Sequence, residues 1–193
     1  MGSMGIADYV RQRPALAMGG LGLVSGALSA GVGFDLEFAW TRPIAAIFFL
    51  DSGPFLIGLF FGIVIAAGLW LSTGNGWALP VLPVTTMYAW SAAIQAAIRL
   101  QRNEDDSPHL LGASLAAGAI GAGITHLGCA IFGSELRRTP RIAATCAVGA
   151  LAGLLLFAGQ RKVVDERLLF QIWQPAVAFS IGLGLRRGQT LRG

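Results

Sequence analysis

Gly20-Leu-Gly-Leu-Val-Ser-Gly-Ala-Leu-Ser-Ala-Gly31 and Gly112-Ala-Ser-Leu-Ala-Ala-Gly-Ala-Ile-Gly-Ala-Gly123 agree at six of twelve positions when set 92 residues apart. Neither stretch carries a charge, and each lies within an apolar run of more than 20 residues. Such a run is long enough to cross about 30 Å of hydrocarbon as a helix. The small residues are spaced for helix packing. Gly19, Gly22, Gly26, Ser29 and Gly33 form one stripe in the first run, and Ser114, Gly118, Gly121 and Thr125 form its counterpart in the second. Stripes of this kind let helix backbones approach closely in a membrane, where apolar bulk alone gives no drive to associate. They predict that the helices carrying them cross near the centre of the molecule.

The rest of the chain extends this reading. Of its 193 residues 54% are apolar and 12% charged, and its mean hydropathy is +0.65, far from a soluble domain with about a quarter of its residues charged. Six runs are long enough to span: 14–34, 54–72, 77–98, 109–131, 142–159 and 168–185. The fold class is all-α, a polytopic membrane protein of six transmembrane helices in one transmembrane domain over 1–193. Residues 1–13 and 188–193 form tails, and Met1-Gly2-Ser3 reads as an addition ahead of a start at Met4. Little room remains for a soluble catalytic domain.

The similarity between the halves continues past the first pair. Gly58, Gly62 and Gly68 match Gly149, Gly153 and Gly159 at an offset of 91, and Pro83 matches Pro175 at 92. A nearly constant offset over three spans predicts a duplicated unit, 14–98 and 106–187. Three spans is an odd number, so consecutive copies lie in opposite orientations, forming a 3+3 inverted-topology repeat. Many transporters are built in this way, with the pathway between the copies.

Charge gives orientation but no soluble partner. Thirteen arginines and Lys162 face ten acids. Eight of these bases fall on the side of the N-terminus and six on the other, which places both termini in the cytoplasm of an inner or plasma membrane. No basic cluster is dense enough for nucleic acid. Cys129 and Cys146 lie in apolar runs without a C-x-x-C, so neither a disulfide framework nor a metal site is expected. No cofactor is indicated. The segment 36–53 holds a run of eight apolar residues, too short to span, and is interfacial, re-entrant or an extension of the second span.

Candidate pathway residues are the polar groups within the spans. In the third span Thr85, Tyr88, Gln95 and Arg99 share one face. In the sixth, Gln171 and Gln174 precede Pro175, and Pro80 and Pro83 interrupt the third. Proline removes a backbone donor and frees a carbonyl one turn earlier, which a membrane requires to be satisfied by protein, water or solute. Paired proline breaks in two halves are a pointer to a translocation site. His126 is an ionisable group within the fourth span, and Asp51 borders the second. Either suits a proton or ion role. Trp90 and Trp173 lie deep enough to line a path or fill a core.

His126-Leu127-Gly128 resembles the histidine motif of rhomboid proteases, which would imply an intramembrane serine protease. The G-x-S-G that the resemblance requires is missing, since Ser25 in Gly22-Leu-Val-Ser-Gly26 is spaced differently and two spans follow the histidine. Without a nucleophile and base, an enzyme is not expected. The reading is a small transporter or channel that moves a small solute or ion between two inverted three-helix halves within the lipid bilayer. The alternative is a non-catalytic subunit or assembly factor, docked through its G-x-x-x-G faces as a homo-oligomer or in a membrane complex. A cavity reaching Gln95 and Gln174 favours the first, and a sealed core with an outward glycine face favours the second.

Overall fold

The structure, a computed structural model, describes residues 5–32, 55–101 and 107–186. The described residues are helical apart from short links: α1 (Ile6–Gln12), α2 (Pro14–Val32), α3 (Phe55–Thr73), α4 (Ala78–Gln101), α5 (Ser107–Phe132), α6 (Thr139–Gln160) and α7 (Leu168–Arg186), with a 3₁₀ turn at Ser134–Arg137. Six of them, α2 to α7, are long and apolar enough to cross a membrane. The six expected spans match these helices to within a few residues. Asp51 and the whole 36–53 segment lie outside the described residues.

The ends of the helices follow local chemistry. Between α3 and α4 the chain turns at Gly74, whose φ of 75° an L side chain rarely adopts. The Asn75 side-chain oxygen then accepts the Trp77 N–H at 3.1 Å. Pro140 sits in the first turn of α6, where its missing N–H has no intrahelical acceptor to lose. Pro80 is placed likewise, at the third residue of α4, so it starts that helix. Pro83 lies inside the same helix.

Each span packs against the next in sequence, and α7 returns to pack against α2, so that the six close on themselves. The glycine stripes decide how closely. The stripe of α2 seats on α7, where a Cβ added at Gly22 would stand 2.6 Å from the Pro175 Cα and one at Gly26 2.6 Å from the Phe170 carbonyl oxygen. Gly182 of α7 answers at the other end, where an added Cβ would lie 2.6 Å from the Ala15 Cα. In α5, Gly118 faces the backbone of Gly149 and Gly153 on α6. Gly58 and Gly62 of α3 face Thr86 and Pro83 of α4.

These seams correct the expected crossing of the first and fourth spans. The α2 stripe meets the sixth span and the α5 stripe meets the fifth. A stripe of small side chains permits close approach from any helix, and the order of the ring selects which one arrives. The seams also depart from a simple two-fold between halves: the G-x-x-x-G of the second span faces the third, whereas that of the fifth faces the fourth.

Candidate functional site

Two polar clusters and one cleft account for the interior. The first cluster joins α2 to α7. Ser25 Oγ donates to Gln174 Oε1 at 2.5 Å, and Gln174 Nε2 donates to Ser29 Oγ at 2.9 Å. All three side chains are buried, Gln174 to 1% exposure. Ser25 and Ser29 are one turn apart on the glycine-striped face, so the close backbone approach at Gly22 and Gly26 brings the short hydroxyls within reach of the amide. A membrane hydrogen bond of this kind contributes about 0.6 kcal/mol, rising to about 2 in the best cases. Gln174→Leu is expected to lower unfolding stability by about 1 kcal/mol, because each serine can turn its hydroxyl to a carbonyl of its own helix. A loss several times larger in a detergent denaturation series would contradict this.

The second cluster centres on His126, which is fully buried. Its Nε2 lies 3.0 Å from the Leu136 carbonyl oxygen and its Nδ1 2.8 Å from Thr145 Oγ1. A carbonyl only accepts, so Nε2 carries the proton of that bond, while Thr145 Oγ1 donates to the Arg141 carbonyl at 3.1 Å. Thr145 Oγ1 also stands 2.9 Å from Ser180 Oγ. One imidazole therefore ties α5 to the 3₁₀ turn, to α6 and, through Thr145, to α7. Next to it the Arg141 guanidinium donates to the carbonyls of Glu135 and Gly184. The segment after α5 is thus held to the ends of α6 and α7.

The cleft lies between α4, α5, α6 and α7 and encloses about 330 Å³, within the range of small-molecule sites. One face of α4 forms its long wall, through Trp90, Ala93, Ile94, Ala97, Ile98 and Gln101. The opposite wall is Ser114, Ala117, Gly118 and Gly121 of α5, with Gly153, Leu156 and Gln160 of α6 and Leu169 and Trp173 of α7. Apart from Ser114 and the two terminal glutamines, these side chains are apolar or aromatic. Gln101 ends α4 and Gln160 ends α6, so they mark the mouth at one membrane face. Trp90 and Trp173 form the floor.

Beyond this floor is a second space of about 10 Å³, bordered by Phe61, Thr86, Thr125 and Gln174 and again by Trp90 and Trp173. It has room for about one water. The two indoles therefore stand between the cleft and a small, mostly apolar space that Ile57 and Ala89 also line. Each ring is braced by a phenylalanine, Trp173 by Phe61 at 5.5 Å between centroids and Trp90 by Phe170 at 5.6 Å.

The candidate pathway residues fall apart in this geometry. Gln174 borders the small space behind the indoles, and His126 lies in the other cluster. Tyr88 is 42% exposed on the outer surface, Gln171 is exposed and Gln95 half-buried. The cleft takes none of these five into its wall. Pro83 and Pro175 lie within α4 and α7, the helices that carry the two floor tryptophans. Among the described residues no three His, Cys, Asp or Glu side chains gather as a metal site would require. What sequence reasoning missed is the α4 face at 90, 93, 94, 97, 98 and 101, whose helical spacing is visible but which looks like any lipid-facing stripe.

No family model, curated protein or solved structure matches the chain.

Proposed function

We propose that this integral membrane protein is a small transporter whose substrate compartment is the cleft between α4 and α7, with Trp90 and Trp173 as its inner gate. The observation that carries the reading is the cleft itself, walled by four helices and ending on two aromatic rings with a small space behind them. Its apolar wall favours an apolar or amphiphilic small molecule over an ion. The compartment lies where the third span meets the fourth, fifth and sixth. Pro83 and Pro175 lie inside the helices that carry the gate rings, where each removes one backbone donor.

Gln174 belongs to the path as the polar group behind the gate, and His126 to the frame. With both termini cytoplasmic, the cleft opens on the outer side of an inner or plasma membrane. The alternative of a docked subunit draws no support from the G-x-x-x-G pairs, which both face inward.

The test reconstitutes the protein into vesicles, adds a fluorescent amphiphile from one side and follows its appearance on the other. Ala93→Trp fills the cleft one turn above the floor. Movement faster than in protein-free vesicles, and lost in Ala93→Trp, is the expected result. Movement no faster than in protein-free vesicles would sink the transport reading.

A further inference from the structure

We infer that the cleft holds one acyl chain of a lipid from the leaflet on the Gln101 side, with its headgroup between Gln101 and Gln160. This rests on the cleft as the substrate compartment, and it names the substrate class as a lipid-like amphiphile that inserts one leaflet-length tail.

Three observations carry it. The first is length. Trp90 and Gln101 are eleven residues apart on one helix, a rise of about 16 Å. That is half of a hydrocarbon core about 30 Å thick. The cleft therefore matches one leaflet rather than the whole bilayer, and its floor stands near the midplane where the tails of the two leaflets meet.

The second is the order of chemistry along that length. The mouth carries two primary amides, each offering two donors and an acceptor. Ser114, 1% exposed, lies below it in the wall, and its hydroxyl has no hydrogen-bond partner among the described residues. Below that come alanine, isoleucine, leucine and glycine, ending on indole. Polar groups at the interface and apolar groups toward the midplane reproduce the profile of a lipid.

The third is access. Ile98, part of the wall, is 61% exposed, so the cleft communicates with the surroundings of the bundle. An apolar cleft beside hydrocarbon is filled by hydrocarbon, because water there gains no polar partners and an empty space forfeits dispersion contacts.

The experiment reads tryptophan quenching by brominated chains. In a Trp40→Phe, Trp70→Phe, Trp77→Phe background the emission comes from Trp90 and Trp173 alone. The protein is reconstituted into phosphatidylcholine vesicles with bromines near the chain end or near the headgroup. The expected result is strong quenching by chain-end bromines and weak quenching by bromines near the head. Ala97→Phe, which fills the cleft, should remove most of the chain-end effect, and the smaller Ala97→Leu should remove part of it while keeping the fold.

Quenching that ignores bromine depth, or that is unchanged in both variants, overturns the inference. So does quenching by acrylamide from the water in place of the brominated chain, which would make the cleft an aqueous compartment. None of these outcomes depends on the gate moving, so a failure of the transport reading in the flux test leaves the acyl-chain site standing.

Discussion

Gly22→Leu is expected to open the bundle. A Cβ at this position would lie 2.6 Å from the Cα of Pro175 and 2.9 Å from the Gln174 carbonyl oxygen, so the obstruction is backbone that has no rotamer to relax into. Overpacking a close seam costs about 1–3 kcal/mol where side chains can give way, and more where they cannot. Separation of α2 from α7 would also break the Gln174 bonds to Ser25 and Ser29. The loss should therefore exceed about 3 kcal/mol. Gly20→Leu is the control, since an added Cβ there meets nothing within 4 Å and projects outward. Denaturation in detergent that treats the two variants alike would show that the α2–α7 seam is not the tight joint described.

His126→Ala should be nearly as damaging, for a different reason. The substitution empties a fully buried site and removes the partner of the Leu136 carbonyl and of Thr145 at once. A cavity of this kind together with an unsatisfied buried carbonyl amounts to about 3–5 kcal/mol. His126→Asn restores one of the bonds and should recover part of the loss. If His126→Ala instead kept its full stability while vesicle flux vanished, the ring would belong to a proton path and not to the frame. Thr145→Val separates the two further: it removes the hydroxyl that links the ring to Ser180 while keeping the shape, and should cost less than His126→Ala.

The spans and their limits were legible because a membrane demands about 20 apolar residues and tolerates few charges. The 14–34 and 168–185 runs, for example, became α2 and α7 almost unchanged. Which span faces which was not legible. Gly22 and Gly26 announce a close neighbour without naming it, and the neighbour proved to be the last helix. Gln174 and His126 stand out in sequence as polar groups in apolar runs, but the same letters serve a solute or a serine equally well. Their partners lie 149, 145 and 19 residues away. The cleft was the least legible of all, since Ala93, Ala97 and Ala117 differ from lipid-facing alanines only in what stands opposite them.

The closure of α7 on α2 also governs how the molecule is made. Its most intimate joint connects the earliest span to the latest, with hydrogen bonds across 149 and 145 residues of chain. Spans α3 to α6 can each settle on the helix made just before, whereas α2 is left with an open glycine face and two buried-type hydroxyls until α7 enters the bilayer. Contacts so distant along the chain form late and slowly. The ring therefore closes last: any chain cut short before Leu168 carries an unclosed α2.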